Sequence, residues 1–229
     1  MANIIDKYLF ELVNIKNTFL GRFAKKYYSQ SGEDIILSKI FSNKKSGFFV
    51  DVGAYHPFHY SNTYLLYKKG WIGINIDPNQ KSIDLFNKYR KKDINIKAGI
   101  SKNKKELDYY IFNHQSCNTF SKEQKDQVEK KSFMKLLGKE KVTCYPLKEI
   151  LIQHIKNKKI DLLNVDVEGL DLEVLESNDW NKFKPSVVVV ENSDFNIENP
   201  FSDEIYKFMK EKGYKLYATT GLSIVFVEK

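Results

Sequence analysis

Buried strands and amphipathic helices alternate along most of this chain. Short apolar runs rich in Val, Ile and Phe are separated by segments in which apolar residues return every three or four positions. Such alternation indicates βαβ units and a mostly parallel sheet with helices on both faces. The predicted strands of that sheet cover residues 48–53, 71–77, 94–100, 160–169 and 186–192. The helices between and around them are predicted at residues 35–41, 61–70, 80–91, 146–157, 170–180 and 202–213.

Three further segments complete the predicted architecture. Residues 107–112 read as an extra strand, and residues 113–142 as a polar, irregular or partly helical insertion that would serve as a substrate lid. Residues 214–229 have the pattern of a closing hairpin. The chain thus divides into an N-terminal helical extension, residues 1–45, and an α/β domain, residues 46–229.

The helical extension carries two local signals. Residues 3–27 predict one or two helices, because Ile5, Leu9, Leu12 and Val13 are spaced for a single apolar stripe. The sequence from Ser31 to Asp34 has the form of a capping box ahead of the helix at 35–41.

Composition narrows the function classes. The formal net charge is +8, but only two of the 37 basic residues are arginines. Base readout and phosphate clamps rely on the guanidinium fork, so a solvated lysine surface is the favoured interpretation and no nucleic-acid partner is predicted. Two isolated cysteines show no zinc spacing and fit a reducing compartment. With no apolar run near the ~20 residues of a membrane span and no secretory signal, the expected location is cytoplasmic, with membrane contact at most peripheral.

Polar residues at strand ends are the candidates for chemistry, because a parallel sheet binds ligands at the carboxyl ends of its strands. Five groups fall there: Asp51 with Gly53, Asp77, Ser101, Asp166 with Glu168, and Glu191 with Asn192.

The first strand end argues against a dinucleotide. Gly53 opens the turn after the strand, but the second and third glycines of G-x-G-x-x-G are missing, and with them the usual pyrophosphate cradle. Asp77 ends the next strand 24 residues later, where a carboxylate can take both ribose hydroxyls. An acid for the ribose without a phosphate cradle suggests a nucleoside ligand, and S-adenosylmethionine is the commonest such cofactor on this type of fold. A nicotinamide-dependent oxidoreductase is the alternative enzyme, and a catalytically inactive nucleic-acid-binding protein is the alternative of another class.

Three blocks of the sequence resemble the FkbM-type S-adenosylmethionine-dependent methyltransferases. They are SQSGED at 29–34, FFVDVGAYHPFHYSNTYLLYKKGWIGINIDPN at 48–79, and IDLLNVDVEGLDLEVLE at 160–176. The resemblance implies a class I methyltransferase fold with a seven-stranded, mostly parallel sheet ending in an antiparallel hairpin. It also implies methylation of oxygen, often on sugars or polyketide-type natural products. Tyr55 and Asn164 depart from the asparagine and lysine that many members carry, so the acceptor stays open.

Strand ends and resemblance together give the expected cofactor site. The residues expected to contact S-adenosylmethionine are Gln30, Asp51, Gly53, Ala54, Tyr55, Asp77, Ser101 and Asp166. Within this set, Asp77 would hold the ribose, and residues near Ser101 would lie at the adenine.

Catalysis needs a base, because a hydroxyl is a weak nucleophile. Period-two alternation places Asn164, Asp166 and Glu168 on one face of their strand, with Glu168 nearest the ligand edge. Glu168 is therefore the expected base or acceptor-orienting residue, with Asp166 and His114 as the other catalytic candidates.

A metal is not required by this pattern. The spacing of Asp166, Glu191 and Asn192 would allow a hard cation such as magnesium, but ordinary hydrogen bonding is the favoured interpretation and no metal site is predicted. The methyl acceptor, its regiochemistry and the oligomeric state are left open by the sequence.

Overall fold

The computed structural model describes residues 2–22, 24–155 and 158–229. The described chain forms two sheets surrounded by helices. The α-helices are α1 Ala2–Phe19, α2 Glu33–Ile40, α3 Tyr64–Lys68, α4 Gln80–Tyr89, α5 Lys122–Glu129, α6 Leu147–His154, α7 Asp171–Glu176 and α8 Glu204–Glu211. Parts of the predicted helices at 3–27 and 146–157, namely residues 23, 156 and 157, lie outside the described residues.

The strands form a large sheet and a small one. They are β1 Phe48–Val52, β2 Ile72–Asp77, β3 Ile94–Lys97, β4 Gly99–Ile100, β5 Lys105–Phe112, β6 Leu136–Tyr145, β7 Leu162–Val165, β8 Val187–Glu191, β9 Tyr214–Thr219 and β10 Ser223–Glu228. The seven-stranded sheet has the order β3-β2-β1-β7-β8-β10-β9, and the three-stranded sheet has the order β4-β6-β5.

The large sheet confirms the predicted class I methyltransferase fold. Strands β3, β2, β1, β7 and β8 are parallel, whereas β10 pairs antiparallel with both β8 and β9 to form the C-terminal hairpin. Strand β1 shows why both faces are covered. Phe48, Val50 and Val52 join the apolar core that contains α6, α7 and α8, whereas Phe49 joins a second core with α2 and α3. Asp51 shares the Phe49 face by the same alternation.

The small sheet corrects two sequence expectations. The segment 94–100, predicted as one strand, is divided between β3 in the large sheet and β4 in the small one. Strand β6 begins within residues 113–142, which were expected to be irregular or partly helical, and it pairs antiparallel with β5 along most of its length. Its residues 136–141 are all exposed, and alternate burial begins only at Val142 and Cys144, so most of the strand shows no alternation of apolar and polar residues.

Most described side chains of the N-terminal helix α1 are exposed, and Asn14 and Asn17 are half-buried. No helix among the described residues is long and apolar enough to cross a bilayer.

The expected capping box before α2 is wrong about which serine caps the helix. Ser29, rather than Ser31, accepts hydrogen bonds from the Gly32 and Asp34 N–H groups, and Asp34 in turn accepts from the Ser29 hydroxyl.

Candidate active site

The carboxyl ends of β1, β2 and β7 meet at one cavity, here called the strand-end cavity. Its lining includes seven of the eight residues expected at the cofactor, and also Glu168. The seven are Gln30, Asp51, Gly53, Ala54, Tyr55, Asp77 and Asp166. The parallel pairing of the three strands brings these distant sequence segments to the same edge.

Gly53 is required by a backbone crossing. Its φ is +78°, and an added Cβ would lie 1.6 Å from the carbonyl oxygen of Asp166. The Gly53 N–H also donates to the Ile76 carbonyl at 2.9 Å. The glycine therefore allows the end of β1 to pass between the ends of β7 and β2, which closes the floor of the strand-end cavity.

Asp77 is buried at the end of β2 and organises the loops around it. Its two carboxylate oxygens accept the N–H groups of Tyr55 and Asn79, at 2.8 and 2.7 Å. Burial raises the Asp77 pKa to about 6, against the opposing effect of those two hydrogen bonds. Each carboxylate oxygen retains a second acceptor position, so Asp77 can still take hydroxyl donors from a ligand in the cavity.

Three carboxyl groups converge on the β7 side of the cavity. Single oxygens of Asp166, Glu168 and Glu191 all lie within 4.8 Å of one another. Burial and the neighbouring acids raise the pKa of Asp166 well above its usual range, and they raise that of Glu168 to about 8. Carboxylates this close cannot all ionise without a cation, so they share protons near neutral pH. Their oxygens are the ligands a hard cation prefers, and they are the set that could hold one.

Glu168 is fixed by the insertion. Its side chain accepts a hydrogen bond from Gln124 Nε2 at 3.1 Å, and its backbone carbonyl accepts one from the Thr119 hydroxyl at 2.7 Å. The Glu168 backbone has φ +56°, a left-handed conformation that costs a residue with a Cβ about 1–2 kcal/mol. The insertion thus holds Glu168, with its strained backbone, at the strand-end cavity.

Backbone strain is concentrated at this site. Tyr55, Tyr60 and Glu168 are the non-glycine residues with positive φ among residues 2–22, 24–155 and 158–229, and all three line the strand-end cavity. Strained residues persist where the surrounding structure over-determines them, and they cluster at ligand sites. This clustering supports the cavity as the functional site independently of its acidic residues.

Two residues expected at the site lie elsewhere. Ser101 is fully buried with its hydroxyl donating to the Asn103 carbonyl, and it does not line the cavity. His114 is exposed and packs edge-on against Phe133, 6.4 Å between ring centroids.

The neighbours of His114 in the insertion do line the strand-end cavity. Gln115, Ser116, Asn118 and Phe120 contribute to the wall, together with Asn62 and Tyr109. Sequence reasoning missed these residues individually. The signal for those in the insertion was the prediction that residues 113–142 serve as a substrate lid.

An apolar cleft adjoins the strand-end cavity and shares Gly53, Pro78, Phe120 and Val167 with it. Ala98, Gly99 and Ile100 form its other wall, at the junction of β3 and β4. The cleft therefore presents apolar side chains beside the acid at the end of β2.

Comparison with known proteins assigns the family. The model of the family described as "Methyltransferase FkbM domain" matches residues 51–216, which is most of the chain. Curated proteins include no significant match. Among solved structures, the chain is similar to that described as "Crystal structure of a putative caffeoyl-CoA O-methyltransferase from Staphylococcus aureus". The identity is 8%, the TM-score is 0.49, and the match covers 99% of this chain and 100% of that chain. On the strength of the family match, this chain belongs to the FkbM methyltransferase domain family.

Proposed function

We propose that the protein transfers a methyl group from S-adenosylmethionine to an oxygen of a sugar or another small hydroxyl-bearing molecule. Its setting would be surface-glycan or natural-product biosynthesis in the cytoplasm. The observation that carries the proposal is Glu168, a carboxyl group with a raised pKa on a strained backbone at the edge of the strand-end cavity.

The described residues fit the cofactor in two respects. Asp77 presents a carboxylate to the cavity at the end of β2, where the ribose diol would lie. The apolar cleft bounded by Pro78, Ile100 and Phe120 would receive the adenine. Gln30, Gly53 and Ala54 would then surround the amino-acid half on the side toward β7.

When bound, S-adenosylmethionine supplies a methyl group already activated by its sulfonium. The chain must therefore align the acceptor and remove its proton, and alignment alone contributes several kcal/mol to catalysis. In the proposed step the Glu168 carboxylate would accept the proton of the acceptor hydroxyl while the acceptor oxygen takes the methyl group, and the cofactor would leave as a neutral thioether. A base works best with a pKa near the operating pH, and a Glu168 pKa of about 8 meets that condition.

The test is Glu168→Gln with Glu176→Gln as the matched control. Glu176 lies at the end of the following helix, in a surface ion pair with Lys102. Turnover is measured with the best acceptor from a panel of glycans and sugar nucleotides. We expect Glu168→Gln to lower turnover by about 10² to 10⁴ while cofactor affinity stays near wild type, because glutamine cannot accept the proton. Turnover within twofold of the wild type would end the catalytic role of Glu168.

A further inference from the structure

The two arginines of this lysine-rich chain lie in opposite surroundings. Arg22 is exposed, whereas Arg90, directly after α4, has no exposed surface. The Arg90 guanidinium carbon lies 4.8 to 5.2 Å from the ring centroids of Phe49, Tyr67 and Phe86. An arginine in this position, where lysine is the chain's usual cation, indicates that a rigid fork of donors is needed there.

The fork of Arg90 starts a chain of hydrogen bonds toward the site. Nε donates to Asp93 at 2.8 Å, and Nη1 donates to the Thr63 hydroxyl at 2.9 Å. The Thr63 hydroxyl donates in turn to Asp51 Oδ2 at 2.7 Å. A guanidinium only donates and an ionised carboxylate only accepts, so the direction of the hydroxyl between them is fixed.

The same logic fixes two amides on the other side of Asp51. Asn164 Nδ2 donates to Asp51 Oδ1 at 2.8 Å, which leaves Asn164 Oδ1 to accept from Asn62 Nδ2 at 2.9 Å. Asn62 lines the strand-end cavity, and no donor among the described residues bonds its Oδ1. The direction of the hydrogen bonds that begin at Arg90 therefore also determines the orientation of the Asn62 amide. Its Oδ1 is free to accept a hydrogen bond.

The hydrogen bonds that lead from Arg90 through Thr63, Asp51 and Asn164 to Asn62 are here called the relay. The relay lies on the side of the cavity away from the proposed ribose position. Asp51 pairs with Asn164 across β1 and β7, whereas Asp77 ends β2 on the opposite side of β1. A ligand whose ribose is held at Asp77 extends its other end toward β1 and β7. In S-adenosylmethionine that end is the amino-acid half, whose ammonium group is a donor.

We propose that Asn62 is a cofactor-binding residue whose Oδ1 accepts a hydrogen bond from the cofactor's ammonium group, and that Arg90 is the positioning residue that fixes its orientation. This inference rests on the proposed function, since it assumes S-adenosylmethionine in the strand-end cavity.

The charge on Asp51 is what the relay needs. Burial raises the Asp51 pKa, and the Thr63 hydroxyl, the Arg90 cation and the Asn164 amide oppose that rise. The other charged groups near it are Asp93, bound to Arg90, and Asp77. If Asp51 took up a proton on Oδ1, that oxygen would donate to the Asn164 side chain instead of accepting from it. The side-chain amides of Asn164 and Asn62 would then flip, and Asn62 would present its N–H groups to the cavity.

The experiment compares two ligands and breaks the relay at three points. S-adenosylhomocysteine carries the ammonium group, whereas 5′-methylthioadenosine lacks the whole amino-acid half and serves as the ligand control. The variants are Asn62→Ala, Thr63→Val and the double variant Arg90→Met/Asp93→Asn, in which the second change removes the negative charge that would be left without its cation. Arg22→Met is the matched control. Affinities are measured by calorimetry below the melting temperature of each protein.

We expect each relay variant to bind S-adenosylhomocysteine at least about tenfold more weakly, a loss of about 1.4 kcal/mol. The affinity for 5′-methylthioadenosine should stay within about twofold, and Arg22→Met should change neither. Equal weakening of both ligands, or unchanged S-adenosylhomocysteine affinity in Asn62→Ala and Thr63→Val, would overturn the inference while leaving the proposed function intact. Wild-type protein that binds neither ligand would overturn both.

Discussion

Replacing Glu168 with glutamine should stabilise the protein, and more strongly at pH 8 than at pH 5. The Glu168 pKa is raised from 4.5 to about 8 by burial and by Glu191. Between those values the unfolded chain is ionised while the folded protein keeps the proton, so stability is lost as the pH rises. Each pKa unit corresponds to about 1.4 kcal/mol, which gives a cost of about 1 kcal/mol at pH 5 and about 4 kcal/mol at pH 8. Glutamine is neutral at both pH values and avoids this cost.

Thermal unfolding of the wild type and Glu168→Gln at the two pH values measures the effect. A difference of about 3 kcal/mol corresponds to roughly 6–12 °C in a domain of this size, and it is an upper limit because Asp166 and Glu191 share the proton. Glu176→Gln is the control for this measurement, since it removes a carboxylate that lies in a surface ion pair. An equal change in melting temperature at pH 5 and pH 8 would refute the account of Glu168 as a buried, neutral acid.

Three further predictions concern the same edge of the sheet. Gly53→Ala should fail to fold or melt far below the wild type because its Cβ would meet the Asp166 carbonyl. The control Gly70→Ala is also at positive φ, but its Cβ would have nothing within 4 Å, so chemical denaturation should show a cost of only about 1 kcal/mol. Asp77→Asn should lower calorimetric affinity for S-adenosylhomocysteine by at least about tenfold, and unchanged affinity in the folded variant would remove that residue from the site. Turnover should rise with pH up to about 8, as the Glu168 base ionises, so a rate that falls across this range would contradict its role.

The fold was predictable because its strands are buried on both faces. Strand β8 is apolar from Val187 to Val190 and β1 is apolar apart from Asp51, as expected for parallel strands between two helical layers, and the helices between the strands have clear apolar stripes. Strand β6 escaped prediction for the opposite reason. Its first six residues face solvent on both sides, and its buried positions Val142 and Cys144 form a pattern too short to identify the ten-residue strand that pairs with β5.

The candidate site was predictable where it depends on strand ends and unpredictable where it depends on tertiary contacts. Asp51, Gly53 and Asp77 follow from the rule that ligands bind at the carboxyl ends of parallel strands. The relay does not, because Arg90 reaches Thr63 across 27 positions and Asn164 reaches Asp51 across 113.

Two residues that the sequence identifies as candidates make tertiary contacts that the sequence does not predict. Asp51 is a candidate for cofactor contact, and in the structure its two oxygens also accept hydrogen bonds from the Thr63 hydroxyl and the Asn164 amide, so it organises the residues around it. Ser101 stands at the predicted strand end, yet the division of that segment between two sheets turns its hydroxyl to Asn103.

The most direct test of the account is a calorimetric titration of the wild-type protein with S-adenosylhomocysteine and, separately, with NADH. The lost glycines of the pyrophosphate cradle and the acid at the end of β2 predict saturable one-to-one binding of S-adenosylhomocysteine and no binding of NADH. A protein that binds NADH, or that gives no saturable binding with S-adenosylhomocysteine, would contradict the assignment of the strand-end cavity as a methyl-donor site.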